Sequence, residues 1–206
     1  MLKIWGRTNS INVQKVMWAV GELGLEHERI DAGGEYGGLN TPAYAAMNPD
    51  RLVPTLQDGS FALWESNVIV RYLAAKHDPG GLWPIDPERR AVAEQWMDWQ
   101  QTTLLPDMRT AFWGLVRTEP AKRNEAAIDA AVESLKSIWE RLDQHLAGRL
   151  FIVDDQFTMG DIPVGAMYHR YRALGVERGP EDHLAAWYER LKGRESYRAH
   201  VMLPLS

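Results

Sequence analysis

The sequence predicts an α+β protein in two parts, a mixed N-terminal part of order βαβ(α)ββα and an all-α part after it. Short apolar runs alternate with helix-like segments up to His77, whereas every periodic segment beyond Pro87 has a helical period. A stretch rich in proline and glycine separates the two patterns, as expected of a linker.

The chain begins with a predicted strand, helix and strand. Leu2–Trp5 reads as a short strand that ends at Gly6, and Glu26–Asp31 reads as the second strand. The helix between them is predicted by apolar residues at helical spacing, and Gly24 follows where a left-handed C-terminal cap is favoured. Those apolar residues are Val13, Val16, Met17, Val20 and Leu23. This order is that of a βαβ unit.

A loop, a hairpin and a helix complete the N-terminal part. Gly, Asn, Thr and Pro dominate residues 32–48, which favours a loop with at most a short helix at Pro42–Met47. Two apolar runs within Leu52–Trp64 flank Asp58-Gly59, a strong hairpin signal. Glu65–His77 has one apolar helical face, and the Asp-Pro-Gly-Gly after it cannot continue a helix.

The second part is predicted to be helical throughout. Trp96, Trp99 and Thr103 share a face of a helix that Pro106 is expected to interrupt. Thr158-Met159-Gly160-Asp161 has the spacing of a capping box and predicts a helix start. The remaining helices are expected along the stripe Ile128, Ala131, Leu135, Ile138, Leu142 and Leu146, at Gly160–Leu174, at Glu181–Lys192 and near the C-terminus.

Composition excludes several classes of function. The net charge of −5 provides no field that attracts polyanions, so no nucleic-acid partner is expected. The absence of cysteine excludes disulfides, thiolate metal sites and cysteine nucleophiles, and the scattered histidines suggest no metal site. The N-terminus turns polar early and no apolar run approaches the ~20 residues of a membrane span, so no membrane association and a cytoplasmic location are expected.

Val53-Pro54 precedes the third strand, where a proline is tolerated because it donates no ladder hydrogen bond. A cis bond would fit here and would leave the Val53 N–H and C=O free to pair with an extended ligand. The alternative is a trans proline at a loop–strand junction.

Two helix starts carry polar residues with two compatible interpretations. Ser10 lies in the turn after the first strand, where open α/β folds place ligands, but Asn9 or Ser10 could equally be an N-cap. Glu65 and Ser66 begin the helix after the hairpin, where unpaired N–H groups favour an anion. Ser66 could be a cap, whereas Glu65 could pair with a ligand ammonium.

Four motifs, taken together, resemble the glutathione S-transferase family, and the resemblance covers essentially the whole chain. They are the serine turn, Val-Pro before a hairpin, Glu-Ser at the next helix and the Thr-x-x-Asp box. The segment Trp5–Val16 is most similar to serine-type bacterial and plant-like members. The resemblance implies a thioredoxin-like glutathione-binding domain at residues 1–77, a linker at 78–87 and an all-α domain with the electrophile pocket at 88–206. It also implies a homodimer and a role in detoxification.

The resemblance further implies a role for individual residues. Ser10 matches the activating serine, Val53 before Pro54 would hold the cysteinyl backbone of glutathione, and Glu65 and Ser66 would hold its γ-glutamyl end. Thr8, Asn9 or Asn12 would share the sulfur contact, and Asn40 or Arg51 would meet the glycyl carboxylate. The family commonly has Gly, Gln or Lys where this chain has Arg51-Leu52. Three residues after Pro106 are candidates for the electrophile pocket, with core packing as the alternative: Met108, Phe112 and Trp113.

The implied function is that of a glutathione transferase without a further cofactor. A hydrogen bond from Ser10 would stabilise the glutathione thiolate, which then attacks a small apolar electrophile or reduces a peroxide. Without cysteine, the chain cannot form the mixed disulfides of the cysteine-type branch. The alternative is a non-catalytic glutathione-binding or protein-interaction module that has kept the fold.

Overall fold

A computed structural model describes all 206 residues and contains a four-stranded sheet followed by a helical bundle. The strand order is β2-β1-β3-β4, with β1 parallel to β2 and the other two pairs antiparallel. None of the helices is both long and apolar enough to cross a membrane. The elements of this part are β1 (Leu2–Trp5), α1 (Ile11–Glu22), β2 (His27–Ile30), α2 (Pro42–Met47), β3 (Thr55–Asp58), β4 (Phe61–Trp64) and α3 (Ser66–His77), with a 3-10 turn at Gly34–Tyr36.

Local signals in the sequence are confirmed in this part of the molecule. Asp58 pairs with Phe61 across the hairpin, and Gly59 between them has a φ of +63°, which favours glycine. Gly24 has a φ of +59° after α1, as expected of a C-terminal cap. The Val53–Pro54 peptide bond is cis.

The second part is helical, as predicted, but the helix is not broken at Pro106. α4 continues into a π-helical segment and then into α5, with helical backbone angles at Leu104 and Leu105. The wide π turn directly before Pro106 accommodates the ring and the missing N–H, so the helix changes its winding and does not end. The helices are α4 (Pro87–Trp99), α5 (Leu105–Phe112), α6 (Glu125–Leu146), α7 (Asp161–Ala173), α8 (Asp182–Lys192) and α9 (Glu195–His200), with π-helical segments at Gln100–Leu104 and Trp113–Arg117 and a 3-10 turn at Pro120–Lys122.

Helix α1 joins the two parts through a buried aromatic side chain. Trp18 is fully buried, and its ring lies 4.5 Å from that of Tyr197 in α9 and 5.5 Å from that of Phe157. Gly165 of α7 packs against the same ring, since a Cβ there would lie 3.0 Å from two of its carbons. This close approach sets how deeply α1 packs into the helical bundle.

A buried polar network lies beside this apolar contact. Lys15 of α1 is fully buried and donates to Oε1 of Gln100 at 2.8 Å and to Oδ1 of Asn67 at 3.4 Å. Asn67 in turn donates to the carbonyl of Met97 at 2.8 Å. Burial lowers the pKa of Lys15 to about 7, although the Glu65 carboxylate opposes this shift. The network ties α1, α3 and α4 together.

One half of the capping box at the start of α7 is confirmed: the Asp161 carboxylate bonds back to Thr158, whereas the Thr158 hydroxyl accepts from the N–H of Gly160 at 3.3 Å and not from that of Asp161. The buried Asp161 carboxylate accepts from the N–H of Thr158 at 2.9 Å, the N–H of Ile152 at 3.0 Å and Nε1 of Trp187 at 2.9 Å. Burial raises the pKa of Asp161 to about 6, against these hydrogen bonds. The carboxylate thus fixes a loop and a second helix as well as its own helix start.

Asp161→Ala is therefore expected to lower the free energy of unfolding by about 3 kcal/mol or more, because it leaves three buried donors without a partner. Asp86→Ala is the matched control, since Asp86 caps α4 through a single exposed bond to the N–H of Arg89. This control should cost about 1 kcal/mol. Urea unfolding followed by tryptophan fluorescence measures both, and equal losses would contradict the assignment.

The buried Lys15 predicts a rise of stability with pH. The pKa of Lys15 is about 7 in the folded protein against an ordinary value of 10.5, so between these pH values the unfolded chain binds more protons. The free energy of unfolding should therefore rise from pH 7 towards pH 10, by up to about 1.4 kcal/mol per pH unit relative to Lys15→Met. Urea titrations of both proteins across this range test it, and parallel pH profiles would refute it.

Candidate functional site

A cavity of about 340 Å³ lies between the two parts of the molecule. Nine of its fourteen lining residues are hydrophobic, so its walls are mostly apolar. Ser10 and Val53 line it from the sheet side, and α5 and α7 line it from the bundle side. Met108, Phe112 and Trp113 all lie on its wall; the first two are buried, whereas Trp113 is half exposed.

Ser10 stands at the start of α1 with a hydroxyl that the helix does not use. It occupies the N-cap position and is 9% exposed, yet its side chain makes no capping hydrogen bond. The alternative of Ser10 as a side-chain cap is therefore wrong for this structure. The hydroxyl lies beside the unpaired N–H groups of the first turn, where the helix dipole stabilises negative charge.

A small recess of about 40 Å³ adjoins this cavity. Asn12 and Val53 line both, and Pro54, Glu65 and Ser66 line the recess alone. The main-chain N–H and C=O of Val53 take part in no hydrogen bond within the chain. An extended ligand could therefore pair with this backbone while it occupies both spaces.

Ser66 does not cap α3, in contrast to the expectation from the sequence. Glu65 is the N-cap residue, with a φ of +71°, and Ser66 is the first residue of the helix. The Ser66 hydroxyl is buried without a hydrogen-bond partner, so the prediction of Ser66 as a cap is wrong. A buried hydroxyl without a partner and a strained backbone both point to a binding site.

Three predicted binding residues lie outside the cavity and its recess. Thr8 is exposed and lines a separate cleft together with His27 and His200. Asn40 and Arg51 are exposed and line neither space. Their proposed contacts with a ligand stay predictions.

The cavity is also lined by three arginines that were not among the predicted site residues: Arg7, Arg109 and Arg170. Arg170 of α7 is 9% exposed, donates to the carbonyl of Asn9 at 3.2 Å and lies 4.3 Å from the Phe112 ring centroid. Burial, and then the charges of Arg117 and Arg7, lower the pKa of Arg170 to about 10. Arg7 lies in the same turn as Ser10 and could have been found from the sequence, whereas no local signal indicates Arg170.

A larger and more open cleft between α1 and α9 is a weaker candidate. It measures about 640 Å³, but only one of its eight lining residues is hydrophobic. Of its two carboxylates, Glu22 and Glu195, the first is already bonded to Arg194, Ser196 and Trp18. A cleft whose charged groups satisfy one another offers little to a ligand.

Comparisons with known proteins agree with this geometry. Residues 1–75 match the model of the glutathione S-transferase N-terminal domain, and residues 125–190 match the model of the corresponding C-terminal domain. The chain is 42% identical to the glutathione S-transferase GstB of Escherichia coli, with full coverage of both chains. It is 29% identical to glutathione S-transferase 4 of Zea mays, over 94% of this chain and 88% of that protein.

Solved structures give the same result. The chain is similar to the theta class glutathione S-transferase of Xanthomonas axonopodis pv. citri, crystallised with glutathione bound. The TM-score is 0.95 and the identity 45%, with 100% of this chain and 99% of that chain covered. The Bombyx mori glutathione transferase BmGSTD1 gives a TM-score of 0.85 at 26% identity, over 98% of this chain and 93% of that chain.

Proposed function

The chain belongs to the glutathione S-transferase family and is a glutathione transferase, and we propose that it activates glutathione through the Ser10 hydroxyl and transfers it to an apolar electrophile. One observation carries the proposal. The unused Ser10 hydroxyl lies at a helix N-terminus, on the cavity that adjoins the polar recess. A tripeptide in the recess would place its sulfur at the edge of a largely apolar space.

The recess offers complementary groups for the rest of glutathione. The Glu65 carboxylate would pair with the γ-glutamyl ammonium, and the Ser66 hydroxyl and nearby N–H groups of α3 would bind the α-carboxylate. The free main chain of Val53, before Pro54, would pair with the cysteinyl backbone. Asn40 and Arg51 stay proposals for the glycyl carboxylate, and Asn12 is a proposal for sharing the sulfur contact.

The chemistry follows from the preference of the site for negative charge. A free thiol has a pKa near 8.5 and is mostly protonated at neutral pH, whereas the thiolate is the nucleophile. A hydrogen bond from Ser10 and the N-terminus of α1 both favour the thiolate, and the thiol proton passes to solvent. The sulfur then bonds to the electrophilic carbon, and the leaving group departs with the bonding electron pair.

The apolar wall would hold the electrophile beside the sulfur. Met108, Phe112 and Trp113 face the same cavity as Ser10, so an apolar second substrate would displace water from all three.

Exposed apolar side chains on β4 and α3, Phe61 and Val68, support the proposal of a twofold dimer, since such residues are common at interfaces.

Ser10→Ala should raise the pKa of the glutathione thiol when it is bound and lower kcat/KM by about 10- to 100-fold, because the thiolate loses a directed donor. The measurement is thiolate absorbance against pH with glutathione bound, together with conjugation rates for a chloronitrobenzene. Ser137→Ala is the matched control, since it removes an exposed serine hydroxyl of α6 that lines neither the cavity nor its recess. Unchanged thiol titration in Ser10→Ala would refute the role of Ser10. Glutathione binding without any thiol shift in the natural protein would instead favour the non-catalytic module.

Ser66→Ala should weaken glutathione binding by about tenfold while the stability of the free protein hardly changes. The free protein leaves this buried hydroxyl without a partner, so its removal breaks no hydrogen bond. Calorimetric titration and thermal unfolding measure the two effects, with the exposed hairpin variant Ser60→Ala as control. A large loss of stability with unchanged affinity would assign Ser66 a purely structural role.

A further inference from the structure

We propose that the second substrate joins an anionic group, a carboxylate or a similar planar oxyanion, to its apolar body, and that Arg109 and Arg170 receive this group with support from Arg7. The inference rests on the proposed function, because it concerns the reaction partner of the thiolate in the same cavity. It adds a charged recognition element to a site that the sequence describes as apolar.

The charges around the cavity are all of one sign. Three guanidinium groups line it, and none of its fourteen lining residues is Asp or Glu. The chain as a whole carries a net charge of −5, so this positive surface is local and runs against the overall charge. A cavity that is lined by positive charges and apolar walls concentrates negatively charged ligands.

None of the three arginines is paired with an acidic side chain. The side chains of Arg7 and Arg109 make no hydrogen bond within the chain, and Arg170 makes one, to a carbonyl. The Nε of Arg170 is buried and has no partner. By contrast, Arg194 elsewhere in the molecule is paired with Glu22 at 2.6 Å. Charged groups left unpaired at a cavity wall are available to a ligand.

The position of the arginines favours the second substrate over glutathione. Arg109 lies on α5, the helix that contributes Met108 and Phe112 to the wall, and Arg170 lies over the Phe112 ring. Both belong to the bundle side of the cavity, and neither lines the recess at Val53 and Glu65. A guanidinium held against an aromatic face is oriented for a planar, two-oxygen acceptor such as a carboxylate.

The proposal is tested with two matched electrophiles: a chloronitrobenzoate, with chlorine para to the carboxylate, and the corresponding chloronitrobenzamide. In both, the glutathione sulfur bonds to the ring carbon that carries chlorine, chloride leaves with the bonding electrons, and the thiol proton passes to solvent. The two rings have nearly the same shape and differ in charge. Dividing kcat/KM by the uncatalysed second-order rate constant removes the difference in their intrinsic reactivity.

The natural protein should accelerate the benzoate at least about tenfold more than the benzamide, as a charge-assisted hydrogen bond would provide. Arg109→Gln, at an exposed position, should reduce this preference about tenfold, and Arg109→Lys should restore part of it. Arg170→Met should act in the same direction, with its fold checked by circular dichroism. Arg141→Gln, an exposed arginine of α6 without an ion pair, is the matched control and should leave the preference unchanged.

Three results would overturn the proposal while leaving the proposed function intact. The first is equal acceleration of both substrates by the natural protein. The second is equal slowing of both substrates by the arginine variants, which would assign these residues to the thiolate. The third is a change confined to the KM of glutathione, which would assign them to its glycyl carboxylate. Failure of the natural protein to bind glutathione, measured by calorimetry, would instead overturn the proposed function itself.

Discussion

The packing of α1 against the helical bundle is the constraint on which the functional site depends. Trp18 fits against Gly165 and the Tyr197 ring at distances that leave no room for an additional carbon. Because Ser10 begins the same helix, this contact also sets where its hydroxyl lies relative to the wall formed by α5 and α7. A Cβ at position 165 would lie 2.7 Å from Cδ1 of Leu191 and 3.0 Å from two Trp18 ring carbons, so a larger side chain there requires one of these neighbours to shift. The site is therefore a property of the interface between the two parts.

Three buried polar groups at the site lack a hydrogen-bond partner, and other unpartnered buried atoms lie elsewhere in the chain, among them Nε1 of Trp139 and the Tyr171 hydroxyl. The Ser66 hydroxyl, Oδ1 of Asn12 and Nε of Arg170 have no hydrogen-bond partner, and all three residues line the cavity or its recess. Asp161 and Lys15 are buried more completely, yet each is held by several side-chain or main-chain groups. Since an unsatisfied buried group costs about 1–3 kcal/mol, a ligand that supplies the missing bonds at the site gains binding free energy from them.

The electrostatics of the site favour one protonation state of the sulfur. A helix N-terminus and the Ser10 hydroxyl lie on the cavity, and no carboxylate lines it. Two acidic residues, Asp50 and Glu65, line the adjoining recess, where a ligand ammonium is expected. The arrangement separates a negative position for an ammonium from a positive region for a thiolate, which orients a zwitterionic tripeptide in one direction.

Local sequence signals predict the order of the elements, the hairpin at Asp58-Gly59 and the position of Ser10 at a helix start, and they allow a cis bond at Val53–Pro54 beside the trans alternative. These features depend on spacing and backbone preference within a few residues, which a single chain displays directly. Tertiary packing places Arg170, 160 positions beyond Ser10, on the same cavity and leaves Thr8 and Asn40 outside it. It also carries the helix past Pro106 through a π turn. Those outcomes depend on how distant elements pack, because side-chain neighbours and winding defects follow from the shape of the whole core and not from local propensity.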